Sequence, residues 1–174
     1  PQATVVEDEE GNRTSTMPPV NDWAVADVSE LDVAESIAAL KEGIPLPVVF
    51  AVRPVREGGH FPGNEEERIA ILQHAVSSNV AWIDLEISIV DKERKALVKA
   101  AKAASCQIIA SQHDVEGTPS AEEIITMVSE NGEHGDVFKY CSTVNDHQDA
   151  LQLIDAANTL STQDSTPLYS LMAL

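Results

Sequence analysis

Lysine rarely sits inside a strand, yet Lys139 lies mid-run in Asp136-Val137-Phe138-Lys139-Tyr140-Cys141, among aromatic and apolar neighbours. Strand side chains alternate, so Val137, Lys139 and Cys141 share one face. If that face lines an enclosed interior, desolvation disfavours the ammonium and leaves an amine suited to Schiff-base chemistry. The competing reading is an edge-strand lysine reaching out to water. A histidine ends a second apolar run, Ile108-Ile109-Ala110-Ser111-Gln112-His113-Asp114. It is placed either to exchange protons near neutral pH or simply to end a strand with a polar group. A third run closes as Ala51-Val52-Arg53-Pro54-Val55-Arg56-Glu57-Gly58-Gly59. Its arginine, carboxylate and paired glycines fit a phosphate or carboxylate site, and equally a salt-bridged loop around a tight turn.

These residues need elements to hold them. Apolar runs expected as strands cover Leu46 to Val52, Val80 to Ile87, Gln107 to Gln112, Asp136 to Ser142 and Pro167 to Met172. Amphipathic helices alternate with them. One starts at the N-cap Asn64, has Glu65, Glu66 and Glu67 in its first turn, and buries Ile69, Leu72, Ala75 and Val76. The next, Asp91 to about Ala104, carries Lys92, Lys95, Lys99 and Lys102 on a solvated face opposite Ala96, Leu97, Ala100 and Ala104. A third begins at Thr118-Pro119 or at Ser120, whose capping-box partner is Glu123, and ends at Asn131-Gly132 in a left-handed stop. The last, Asp146 to Leu160, is expected to bury Ala150, Leu153, Ile154 and Ala157. Alternation of this kind predicts βαβ units and a parallel sheet. A dinucleotide-binding open sheet would carry a glycine-rich fingerprint after its first strand, and none is present. A (β/α)8 TIM-type barrel places chemical residues at the C-terminal ends of several strands, as this chain does three times.

Composition narrows the partners. With 174 residues, 43% of them apolar, the chain can build a real core. Its 29 acidic and 11 basic residues leave a net charge of −18, a field that repels nucleic acid and anionic membranes. Such a surface reads as adaptation to a salt-rich cytoplasm, where the Debye length falls to roughly 3 Å at 1 M; the plainer reading is an ordinary acidic cytoplasmic protein. Cys106 and Cys141 lie in apolar runs and read as reduced, buried thiols. Residues 1–22 form an acidic, poorly ordered arm with at most one short strand, Ala3 to Val6, and residues 23–174 form the barrel domain.

Taken in order, Arg53-x-x-x-Glu57-Gly58-Gly59, Ser111-x-His113-Asp114 and Gly135-Asp136-Val137-x-Lys139 resemble the motifs of the type I 3-dehydroquinate dehydratases. Trp82-Ile83-Asp84-Leu85-Glu86 matches that family's fourth strand, and the acidic composition is most similar to haloarchaeal members. The resemblance implies a shikimate-pathway lyase that dehydrates 3-dehydroquinate. Lys139 would form an imine with the substrate C3 carbonyl, and His113 would take a C2 proton and then assist loss of the C1 hydroxyl. Glu57 would orient His113, and Arg53 would bind substrate hydroxyls. Asp84 and Glu86 are further candidates as partners of Lys139 or Arg53. No metal or organic cofactor is implied, and a homodimer is the expected assembly.

The family's second strand carries Glu-x-Arg, where this chain reads Asp27-Val28-Ser29-Glu30-Leu31-Asp32; the arginine is absent and Glu30 remains as a substrate contact. A whole barrel needs about 250 residues. The chain is therefore expected to be a barrel incomplete at its C-terminal end, with the last βα unit missing. A non-catalytic homologue that binds quinate-like ligands, or an assembly subunit, is the alternative from a different class.

Overall fold

The computed structural model describes residues 4–7, 11, 13–16, 27–164 and 166–174. The chain divides into two units, Pro1–Leu31 and Asp32–Leu174. In the first, strand β1 (Thr4–Glu7) pairs antiparallel with β2 (Arg13–Thr16), Thr4 opposite Thr16 and Glu7 opposite Arg13. The expected arm had at most one strand; Ala3 itself lies outside the described residues. The partner strand was hidden because Arg13-Thr14-Ser15-Thr16 has no apolar alternation to mark it. Asp27–Asp32, matched by resemblance to a strand, instead contains a 3-10 turn, Val28–Glu30, capped by the Asp27 side chain on the Ser29 amide.

The second unit alternates helix and strand throughout. Its helices are α1 (Val33–Gly43), α2 (Glu65–Ser77), α3 (Asp91–Ala103), α4 (Ala121–Asn131) and α5 (His147–Ser161). Its strands are β3 (Val49–Phe50), β4 (Trp82–Glu86), β5 (Gln107–Asp114), β6 (Val137–Ser142) and β7 (Tyr169–Ala173). All five are parallel, in the sequential order β3-β4-β5-β6-β7. Such a wall, with a helix after each of β3 to β6, is the (β/α)8 architecture in part. Among the described residues β3 and β7 are not bonded to each other.

Helix starts follow the expected local chemistry. Asn64 with Glu67, and Ser120 with Glu123, form complete capping boxes, and Asp32 and Asp146 cap α1 and α5. The lysines of α3 are exposed while Leu97 and Ala101 are buried. Other expectations needed correction. The strand expected over Leu46 to Val52 pairs only at Val49–Phe50, because Pro47 lacks a ladder donor and the chain turns aside at Pro54. Gly132 is not left-handed: at φ −60° it continues into a 3-10 turn, and its missing side chain makes room for Pro167, whose Cγ would lie 2.2 Å from a Cβ. Helix α5 buries Leu153, Ala156 and Leu160, whereas Ile154 is 59% exposed; the buried stripe runs one residue round from the expected face.

Candidate active site

The alternation of strand side chains separates two faces of the sheet. Ile83, Leu85, Ile108, Ala110, Phe138 and Tyr140 are buried with residues of α2 to α5 and form the helix-covered core. The opposite face carries Asp84 and Glu86 from β4, Ser111 and His113 from β5, and Lys139 and Cys141 from β6. Parallel register aligns Glu86, Ser111 and Lys139 in one row, with His113 and Cys141 in the next. One face is apolar and packed; the other concentrates ionisable groups.

Asp84 is the hub of that polar face. It is 2% exposed, and its Oδ2 accepts from Lys139 Nζ at 2.8 Å. Arg53 Nη2 stands 3.8 Å from the same oxygen, and the buried Ser111 hydroxyl donates to Oδ1. Three strands and the loop after a fourth thus contribute to one carboxylate. The lysine is half-buried beside a fixed anion, neither isolated in an apolar interior nor reaching out to water.

His113 and Glu57 form the second cluster. His113 Nδ1 lies 3.1 Å from Glu57 Oε2, and both side chains are buried. Burial alone would lower the imidazole pKa, but the Cys141 thiol and the Glu57 carboxylate outweigh it and hold the pKa above its ordinary value. Arg53 works in the opposite sense. His113 Nε2 is buried and has no hydrogen-bond partner among the described residues. Both cysteines are free and buried.

Glu57 depends on an unusual loop. It sits in the 3-10 turn Val55–Glu57, which ends at Gly58 with φ +76°, in the left-handed region. Gly59 must approach its own loop closely: a Cβ there would lie 2.1 Å from the Arg53 carbonyl oxygen. The paired glycines therefore turn the chain back so that Glu57 meets His113.

A fully buried arginine, not singled out in the sequence, supports the rim. Arg68 of α2 donates to Glu86 Oε2 at 2.5 Å and to the Val52 carbonyl at 3.1 Å. It also grips Glu65 at 2.7 and 2.9 Å, and that contact holds the Glu65 carboxyl down at about 2. Glu86 is pushed up by burial, with Arg68 pulling the other way. An arginine on the apolar side of a predicted helix was the available signal. Glu30 belongs to the first unit, where it is exposed. Among the described residues no helix is long and apolar enough to cross a membrane.

The family model described as type I 3-dehydroquinase matches residues 22–172. The chain is 29% identical over 140 residues to the 3-dehydroquinate dehydratase of Methanocaldococcus jannaschii, covering 77% of this chain and 63% of that protein. It is 32% identical over 133 residues to that of Methanopyrus kandleri, covering 76% and 58%. The type I 3-dehydroquinate dehydratase of Clostridium difficile, solved with covalently modified comenic acid, superposes with a TM-score of 0.77 at 25% identity, over 85% of this chain and 59% of that one. The 3-dehydroquinate dehydratase of Enterococcus faecalis gives 0.77 at 25%, over 82% and 61%. The chain spans about three fifths of the length of these relatives. The matched residues include both carboxylate clusters and the strands that carry them, and the chain belongs to the type I 3-dehydroquinase family.

Proposed function

We propose that this chain carries the reacting groups of a lyase that dehydrates 3-dehydroquinate to 3-dehydroshikimate in aromatic amino-acid biosynthesis. The observation that carries the proposal is the buried Glu57–His113 pair on the same polar sheet face as Lys139, in a chain of this family.

In the proposed sequence Lys139 gives up a proton, its amine adds to the C3 carbonyl, and water leaves to form the imine. Asp84, already bonded to Nζ, is the nearest group to take that proton. The imine draws electrons from C2, and His113 Nε2 removes the C2 proton to leave an enamine. Return of that electron pair expels the C1 hydroxyl, which leaves as water with a proton from His113. Hydrolysis of the imine frees the product and Lys139. Glu57 accepts from His113 Nδ1, which keeps the lone pair on Nε2. Arg53 is assigned to substrate hydroxyls. The imine supplies the acidification, so the scheme calls for no cofactor. The Clostridium difficile relative was solved with covalently modified comenic acid, which supports covalent chemistry as the reading for this chain. We further assign the chain to the cytoplasm and read its charge as adaptation to salt.

Reduction with borohydride in the presence of 3-dehydroshikimate tests the scheme. The expected adduct maps to Lys139; an adduct on Lys41 or on the lysines of α3 defeats it. His113→Ala should retain trapping while turnover of 3-dehydroquinate, followed by the enone absorbance of its product, falls by about 10²–10⁴-fold.

A further inference from the structure

The turn after β4 carries a serine that faces two ways. The Ser88 hydroxyl donates to Glu57 Oε1 and accepts from Arg56 Nη2 at 3.2 Å. Arg56 is held in turn by Glu65, Nη1 to Oε2 at 3.2 Å and Nη2 to Oε1 at 3.4 Å. Glu65 is the residue gripped by Arg68, and Arg68 ends on Glu86, the last residue of β4. The contacts therefore run from Ser88 through Arg56, Glu65 and Arg68 and return to the strand two residues before Ser88.

That loop has a direction. A hydroxyl has one proton to give. With an Arg56 N–H directed at the Ser88 oxygen, the hydroxyl proton is left for Glu57. The carboxylate is then fixed through both oxygens, Oε1 by Ser88 and Oε2 by His113 Nδ1. A carboxylate only accepts, so Nδ1 must carry hydrogen, and in the neutral ring Nε2 is then the nitrogen with the lone pair. Without the serine, Oε1 would be free to swing the carboxylate about its bond axis and loosen its hold on the ring.

We infer that Ser88 is a positioning residue, which clamps the outer oxygen of Glu57 and so fixes the tautomer and orientation of His113, with Arg56 setting the direction of its hydroxyl. It touches no reacting atom. Its kinetic consequence rests on the function proposed above; its structural consequence does not.

The test combines nitrogen NMR of the histidine rings in the full chain with steady-state kinetics, the His113 signal being identified by its loss in His113→Gln. At a pH above the His113 inflection, where the ring is neutral, the unsubstituted chain should hold it as the Nδ1–H tautomer. Ser88→Ala should give a mixture of tautomers and lower kcat about tenfold, the scale of one hydrogen bond to a charged group, with KM nearly unchanged. Ser88→Thr, which keeps the hydroxyl, should restore both. Arg56→Gln, which keeps the serine but not its direction, should shift the tautomer in the same sense and by less. An unchanged His113 signal in Ser88→Ala overturns the inference. So does failure of a folded Ser88→Thr to restore the tautomer, and if Ser88→Ala does not fold, an unchanged signal in Arg56→Gln decides the matter. Absence of 3-dehydroquinate turnover in the unsubstituted chain would sink the proposed function alone, because the ring signal still answers for Ser88.

Discussion

His113 must be neutral to accept a proton, and its surroundings oppose that state. Burial favours the neutral ring, but the Cys141 thiol and the Glu57 carboxylate favour the cation and prevail, with Arg53 opposing them. The acid limb of kcat/KM should therefore rise through an inflection above the ordinary value of ~6.5. Because the folded pKa is raised, the stability this group adds is fully present below ~6.5 and is lost as pH climbs through the folded value. Glu57→Gln removes one of the raising influences, so the inflection should move to lower pH while kcat falls; a pH–rate profile of both forms is the check. At this scale Lys139, His113 and Glu57 were legible because each breaks an apolar run or follows one. Asp84 was visible only as a weaker candidate, and Ser88 not at all. Their importance comes from partners 27 to 55 residues away in the chain, such as Ser111 and Lys139 on Asp84 and Glu57 on Ser88. No local pattern announces such contacts.

The elements were easier to read where local rules decide them. The N-cap Asn64 with its acidic first turn located α2, and the Ser120–Glu123 capping box located α4, because these signals lie within three residues of one another. Helix α1, although capped by Asp32, was not singled out: it buries only Ile37, so its apolar stripe is faint. The shortness of β3 was hidden because a strand's length depends on the partner it can find as well as on its own residues. The loop after β3 illustrates how backbone geometry serves the site. Gly58→Ala places a side chain in the left-handed region and should cost about 1–2 kcal/mol of stability. Gly59→Ala drives a methyl group into the Arg53 carbonyl, which only a moved backbone can relieve. We expect Gly59→Ala to destabilise the chain more than Gly58→Ala in urea unfolding and to abolish the His113–Glu57 contact. Equal midpoints for the two variants would show that the close approach is unimportant.

For the whole molecule the dominant quantity is a net charge of −18. Carboxylates of one sign repel at long range, while the described exposed ion pairs, such as Arg13–Glu7 and Lys95–Asp91, offset little of it. Raising potassium chloride from about 0.1 M to about 2 M shortens the screening length severalfold and should raise the melting temperature. A flat or falling melting curve over that range removes the halophilic reading and leaves an ordinary acidic protein. The polar sheet face has another consequence at this scale. Asp84, Ser111 and Lys139 each come from a different strand, and a slip of one residue between neighbours would turn a whole strand over. Lys139 would then enter the packed layer among Phe138 and Tyr140's partners, and Asp84 would lose both of its donors. Misaligned sheets are thus penalised by the same groups assigned to the chemistry. The proposed site would also act as a check on assembly, since only the native alignment brings Asp84 to both Ser111 and Lys139.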